Sequence, residues 1–286
     1  MEIGIGLNAT IPGVTGEELT EWARRAEQRG FSSLGTIDRI VYGNYEPLIA
    51  LAAAAAVTER IRLATTVLLA PLRSNTALFA KQAATLQHLS GGRLVLGLAP
   101  GGREDDYDVS DVDFHKRGRE FDRQLEEMLR VWAGEEKGFA GPVGPNVDER
   151  PTLLIGGQAD AAFRRAAEYA DGWIMGGGPP DRFRDALARV QEAWQAAGRT
   201  DKPRTAALAY WALGGEAERD AASYLGDYYA FTGEETADAI AGSAAKDPDT
   251  VKQYVSAFEQ AGCDELILFP SNSDPEQVDL LAEAIS

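Results

Sequence analysis

The residues with chemistry to offer fall into a few short groups. Gly156-Gly157 runs into a helix-like segment starting near Ala159, and Gly176-Gly177-Gly178 forms a second flexible stretch. A helix N-terminus offers free N–H groups and a positive dipole end, so the first pair suits a phosphate. Glycines also serve where a strand turns tightly into a helix, and spacing alone leaves both readings open. The loop Gly101-Gly102-Arg103-Glu104-Asp105-Asp106-Tyr107 sets charge on flexible backbone. Either Arg103 meets a cofactor phosphate or carbonyl there, or the run is a solvated face. Asp38-Arg39 pairs a carboxylate with a guanidinium that stays charged at any working pH. Of the two histidines, His88 falls inside a helix-like segment and reads as structural. His115 precedes a helix and is the better acid–base candidate, because imidazole titrates near neutrality; a plain polar residue at a helix start is the alternative. Tyr42, Tyr45, Trp211, Tyr228, Tyr229 and Phe231 either line an apolar substrate pocket or belong to the core.

Strand-like and helix-like segments alternate throughout and position these groups. The predicted strands are Ile3–Asn8, Ser33–Ile37, Ile61–Leu69, Leu94–Ala99, Thr152–Ile155, Gly172–Met175, Thr205–Leu213 and Leu266–Phe269. Helices are expected over Glu17–Arg29, Pro47–Val57, Asn75–Gln87, Lys116–Ala133, Ala159–Ala170, Asp181–Ala197 and Pro275–Ile285. Leu19, Trp22, Ala23 and Ala26 show the spacing of one buried helix face, and Gly30 stands in the position favoured for a C-terminal cap. Eight near-continuous apolar strands alternating with helices imply a parallel sheet closed into a single (β/α)8 barrel. A doubly wound sheet would usually carry a glycine fingerprint after its first strand, and Gly4-Ile5-Gly6-Leu7-Asn8-Ala9 lacks the third glycine. Two segments exceed a minimal barrel: a Gly/Pro-rich loop over Gly134–Arg150 and a helical insertion over Glu216–Asp249 between strands seven and eight. Barrel chemistry lies at the C-terminal strand ends. That rule selects Asn8, Asp38, Arg39, Gly101 to Tyr107, Gly156 to Gln158, Gly176 to Gly178, Trp211 and Pro270 to Asn272.

Composition closes off other classes. A net charge of −17 over 286 residues argues against nucleic acid, which wants a basic stripe. Cys263 is the one cysteine, so no disulfide within the chain is possible, and with two histidines there is no zinc-ligand spacing. An aldolase-type barrel would need a lysine at a strand end, whereas Lys81 and Lys116 fall on helices. The start carries an acidic residue where a signal peptide wants positive charge, and the longest helix-like apolar run, Leu48–Val57, falls short of the ~20 residues that span a bilayer. The expectation is a soluble, cytoplasmic protein.

Leu86, Leu89, Ser90, Gly91, Gly92, Arg93, Leu94, Leu96 and Gly97 resemble a block of the bacterial luciferase-like family of flavin- and deazaflavin-dependent oxidoreductases, which are TIM barrels. Pro151 to Gly157, followed by Ala161, Arg164, Ala166, Ala167 and Ala170-Asp171-Gly172-Trp173, resembles a second block. The resemblance implies that backbone around Gly156, Gly157, Gly177 and Gly178 holds the cofactor phosphate. It also implies a non-proline cis peptide on strand three, at Thr65-Thr66, behind the cofactor ring, and a homodimer through the Ala52–Ala56 region. Asp38-Arg39 departs from the Asp-His of many relatives, so Arg39 would supply a fixed positive charge beside an electron-rich reduced ring or an anionic substrate. Reduced FMN implies oxygen activation and monooxygenation of a small organic substrate, with a separate flavin reductase as a possible partner. The deazaflavin coenzyme F420 implies hydride transfer without oxygen. Its acidic tail would need a basic track, so the acidic chain favours FMN. A non-catalytic flavin-binding protein is the remaining alternative.

Overall fold

A computed structural model describes residues 1–139 and 141–286, with the backbone alone at 136–138. Eight parallel strands close a barrel: β1 Glu2–Gly6, β2 Ser33–Thr36, β3 Arg62–Leu69, β4 Leu94–Ala99, β5 Thr152–Gly156, β6 Gly172–Met175, β7 Arg204–Trp211 and β8 Glu265–Pro270. Each strand pairs with its neighbours in chain order, and β1 closes on β8 through Ile3 opposite Leu266 and Ile5 opposite Leu268. The surrounding helices include α1 Gly16–Gln28, α2 Pro47–Ala55, α3 Thr76–Leu89, α4 Glu104–Asp108, α5 Arg117–Trp132, α6 Asp160–Tyr169 and α7 Pro180–Ala196. They continue with α8 Ala217–Tyr228, α9 Glu234–Gly242, α10 Pro248–Gln260 and α11 Glu276–Ile285. Local signals explain their starts. Thr15 and Glu18 form a reciprocal capping box on α1, and Asp247 caps α10 ahead of Pro248.

Strand alternation builds two apolar layers. Ala206, Leu208 and Tyr210 of β7 join Ala64, Val95, Leu154, Ile174, Ile267 and Phe269 inside the barrel. Ala207, Ala209 and Trp211 join Trp173, Leu266 and the inner faces of the helices in the layer outside it. Phe269 fits the interior because Gly6 and Gly35 face it, where a Cβ would lie 2.5 and 3.0 Å from its ring atoms.

The bottom of the barrel is charged. Glu2, Arg62, Arg204 and Glu265 share the inward parity of their strands, and Glu265 is 2% exposed. Its carboxylate accepts from Ser32 Oγ at 2.6 Å, Arg62 Nη2 at 3.0 Å and Arg204 Nη2 at 2.8 Å. Burial pushes this carboxyl up, but Ser32, Arg62 and the other donors outweigh it and hold it below the usual value. The unfolded chain, with Glu near about 4.3, therefore binds the extra proton first, so this stabilisation is complete above that pH and is lost as pH falls through the folded value. Glu265→Gln leaves two arginines short of a counter-charge and is expected to lower stability by about 3 kcal/mol at pH 7. Denaturant titrations at pH 7 and pH 4 check this, and the gap between variant and wild type should narrow at the lower pH.

The structure corrects several sequence boundaries. The segment 216–249 is two helices, α8 and α9, joined by a turn over Ala230–Thr232, while α10 is the crossover to β8. The Gly134–Arg150 loop contains a short antiparallel hairpin, Glu136–Gly138 with Gly141–Pro142. The charged run after β4 becomes α4 from Glu104, with three acids in its first turn, where the helix dipole favours them. The cis peptide lies at Thr66-Val67, one bond later than expected. Thr65 stays in register with Leu96, and its hydroxyl donates to Gly97 O at 2.7 Å, so the irregularity begins only after it.

Candidate active site

A cavity of about 250 Å³ opens at the C-terminal end of the barrel. Its floor is Ile37, Val67 and Leu69; Gly102 and Arg103 form one wall; Tyr228, Tyr229 and Phe231, from the end of α8 and the turn beyond it, form the cover. The bulge in β3 between Thr65 and Leu68 places Val67 here. Thr66 Oγ1 donates to Thr36 O at 3.2 Å, so both threonine hydroxyls are tied to neighbouring strands, and neither threonine lines the cavity.

Asp38 lines the cavity, and the structure adds the partner that fixes it. Its Oδ2 accepts from Leu69 N–H at 2.9 Å and from Arg73 Nη1 at 2.6 Å, and Arg73 also donates to Glu46 at 2.9 Å. Burial raises the pKa of the Asp38 carboxyl, with Arg73 pulling the other way without cancelling it, while the Arg73 guanidinium itself stays charged. Asp38 Oδ1 has no partner.

Arg103 is the unusual cation. It donates to Tyr228 O at 3.2 Å, lies 3.6 Å from the Phe231 ring centroid and 4.8 Å from that of Tyr228, and makes no ion pair among the described residues. Its Nη1 is buried without a partner. Burial lowers its pKa, and the neighbouring Arg39 charge acts in the same direction. Arg39 stands behind the aromatic cover, 5.2 Å from the Tyr42 ring and 5.6 Å from that of Tyr228, and donates to Asp105 Oδ2 at 3.0 Å. Asp106, which sequence reasoning passed over as part of a charge run, is buried and accepts from Ile40 N–H at 2.9 Å and Val41 N–H at 2.7 Å. It pins the β2 loop to α4 and so brings Arg39 and Arg103 to one place.

The remaining predicted residues divide. Gly101 (φ +73°) turns the chain into this wall, and Gly156 packs on Val67, where a Cβ would meet Val67 Cγ1 at 2.7 Å. Gly157 (φ +124°) accepts from Trp173 Nε1 at 2.7 Å, just ahead of α6, whose N-terminus has no side-chain cap. Gly176, Gly177 and Gly178 lie between β6 and the similarly uncapped α7, so all five glycines border the rim of the barrel rather than the cavity. Asn8 is fully buried and donates to Ser273 O at 3.0 Å, which ties the β1 and β8 ends together instead of lining the cavity.

Three candidates are corrected. His115 is exposed on a short turn capped by Asp113, away from the cavity, because α4 intervenes between β4 and that turn. The Tyr45 hydroxyl donates to Val14 O, and its ring is 40% exposed, so it braces the β1–α1 connection. Trp211 belongs to the outer layer; Tyr210, one residue earlier, points inward and shares a 2.8 Å hydrogen bond with the Tyr229 hydroxyl. Burial raises the pKa of Tyr210, Tyr228 and Tyr229, so these phenols remain O–H donors at neutral pH. Tyr228 lines the cavity, and Tyr42 lines a neighbouring cleft.

A (β/α)8 barrel with an apolar, arginine-walled slot over a bulged third strand is suited to a planar redox cofactor. The chain belongs to the luciferase-like monooxygenase family, whose sequence profile matches residues 1–278. Uncharacterized protein Rv0940c of Mycobacterium tuberculosis is 36% identical over 208 residues, spanning 62% of this chain and 72% of that one. The F420-dependent glucose-6-phosphate dehydrogenase of Kribbella flavida is 31% identical over 220 residues, spanning 70% of this chain and 66% of that one. Among solved structures, an F420-dependent secondary alcohol dehydrogenase bound to an F420-acetone adduct superposes with a TM-score of 0.82 at 18% identity, covering 100% of this chain and 99% of the other. Monooxygenase RslO1 from Streptomyces bottropensis superposes with a TM-score of 0.79 at 23% identity, covering 100% and 98%. Among the described residues no group of three or more potential ligands could hold a metal, and no helix is long and apolar enough to cross a membrane.

Proposed function

We propose that this chain is a deazaflavin-dependent oxidoreductase that exchanges a hydride with a small organic substrate at the barrel mouth. The observation that carries this reading is the Arg103 cavity, a half-buried cation without a carboxylate partner among the described residues, beside an apolar slot, which suits a planar anionic ring. The Kribbella relative, F420-dependent by name, supports the deazaflavin at 31% identity, whereas the likeness to RslO1 at 23% supports the fold alone. The acidity that favours FMN is a property of the whole chain, whereas Arg103 lines this slot and Arg39 stands behind its aromatic cover. Reduced FMN with oxygen activation is the second reading, favoured by the family's own description; a separate flavin reductase would then be a partner.

The bound cofactor would supply the electron pair. Arg103 and the Gly102 backbone would hold its ring, Asp38 would present a fixed acceptor, and the backbone at Gly156, Gly157 and Gly176 to Gly178 would take the phosphate. Tyr228, Tyr229 and Phe231 would exclude water, and the buried phenol of Tyr229 would keep its proton. Titrating the apo-protein with F420 and FMN, each oxidised and reduced, tests the reading by fluorescence. Micromolar binding of the deazaflavin with weaker FMN is expected. The reverse order, with oxygen uptake, would move the assignment to a monooxygenase; binding of neither would remove both.

We further propose a homodimer joined through α2 and α3. Ile49 and Leu78 are 71% and 51% exposed near the starts of these neighbouring helices, and the alanines of α2 permit close approach. Light scattering should give the mass of two copies, and Ile49→Asp with Leu78→Asp should give one. A wild-type monomer would refute the arrangement.

A further inference from the structure

A second cleft, of about 390 Å³, lies beside the first at the barrel mouth, between α8 and the loops after β1 and β8. Its chemistry is of the opposite sign. Asp220 and Asp227 line it from α8. Seven residues separate them, two helical turns, which sets them on one face about 10.5 Å apart. Each already takes one neutral donor: Tyr42 Oη donates to Asp227 Oδ2 at 2.8 Å, and Asn272 Nδ2 donates to Asp220 Oδ2 at 2.6 Å. Among the described residues no lysine or arginine lines the cleft. Arg219 reaches Asp220 Oδ1 at 3.3 Å but is 70% exposed and also pairs with Glu216, and Arg39 is engaged by Asp105. Ser271 supplies an independent sign of a missing ligand. It lines the cleft at 4% exposure, its amide donates to Trp211 O at 2.8 Å, and its Oγ has no partner among the described residues. A buried hydroxyl without a hydrogen bond is costly unless something arrives to satisfy it.

We propose that this cleft binds the ammonium group of an amine-bearing substrate, whose apolar body lies against Ile11, Pro12 and the tyrosine rings. This rests on the oxidoreductase reading above and adds the substrate class to it. Net negative charge without a lining cation excludes anionic groups and selects a cation over a neutral polyol. Two carboxylates two turns apart are too widely spaced to share one metal ion, which needs ligands at about 2.0–2.6 Å. An ammonium needs only one of them, together with a hydroxyl and an aromatic face, and Asp227, Ser271 and Tyr42 are lining groups of those kinds.

The test is calorimetry on the full chain with three probes that share a body and differ in charge: phenethylamine, phenethyl alcohol and phenylacetate. The amine is expected to bind about tenfold tighter than the alcohol, and phenylacetate not at all. Asp227→Asn and Ser271→Ala should each weaken the amine several-fold while leaving the alcohol, the melting temperature and the F420 titration unchanged. Equal binding of amine and alcohol, or amine affinity untouched in both variants, overturns the proposal. The same samples separate the two readings. An ordered amine series with no cofactor binding retains the cleft and removes the redox assignment, and cofactor binding without an ordered series does the reverse.

Discussion

Arg103→Met is expected to weaken binding of the reduced, anionic cofactor by about 30- to 100-fold, the worth of a charge-assisted hydrogen bond of roughly 2–3 kcal/mol. The loss should be smaller for a ring analogue that carries no charge, because what is removed is a charge. Stability is expected to move the other way. Arg103 is half-buried, makes no ion pair among the described residues and leaves Nη1 unsatisfied. Its stacking on Phe231 and Tyr228 offsets part of that desolvation. A methionine of similar length fills the same space without an unpartnered cation, so the melting temperature should hold or rise by a few degrees. Arg103→Lys keeps the charge but loses the planar fork, and an intermediate loss of about tenfold is expected. Fluorescence titration and a thermal melt on the same preparations decide the matter. Equal losses for the charged cofactor and an uncharged ring analogue would mean that Arg103 shapes the cavity rather than meeting a charge.

The barrel is legible in the sequence because its strands are buried on both faces and read as apolar runs. Leu94–Ala99 and Gly172–Met175 match their predicted bounds, and the others differ by one or two residues. Runs of this kind carry no parity signal, so the sequence offers Trp211 to pocket or core alike, whereas Tyr210 is the residue that points inward. Fixing the parity from the charged strand starts was possible in principle. Arg62, Arg204 and Glu265 all face inward at the bottom, and counting by twos from Arg204 reaches Tyr210.

The site was harder to read, for a different reason. Asp106 and Arg73 act through partners 66 and 35 residues away in sequence, and neither spacing has a motif. In the run Glu104-Asp105-Asp106 the three acids look alike, yet Asp106 is buried while its neighbours are exposed. His115 misled because its titration range is suitable wherever it stands; only topology shows that α4 carries the chain away before it. Arg39 and Arg103 were found by strand-end position alone. Their convergence depends on the aromatic cover from α8, an insertion whose path no local pattern encodes.

Gly97→Ala is expected to be among the most damaging small substitutions in the molecule. A Cβ at this position would lie 2.2 Å from the Thr65 carbonyl oxygen, a backbone atom with no rotamer to escape into. Thr65 is held from its other end as well, because its hydroxyl donates to Gly97 O at 2.7 Å, so the two residues lock the strands across the start of the bulge. Relieving the overlap means moving Thr65, and with it the bulged backbone that presents Val67 to the cavity floor. Overpacking of this kind costs about 3 kcal/mol or more, which for a chain of this size shifts the melting temperature by roughly 6–12 °C. Cofactor affinity should fall together with stability, since the displaced segment is the floor of the slot. Thr65→Val separates the two links: it removes only the hydroxyl and should cost about 1 kcal/mol with cofactor binding near wild type. If Gly97→Ala melts normally and binds cofactor normally, the bulge is soft, and the cavity floor is set by the helices behind it rather than by contact between β3 and β4.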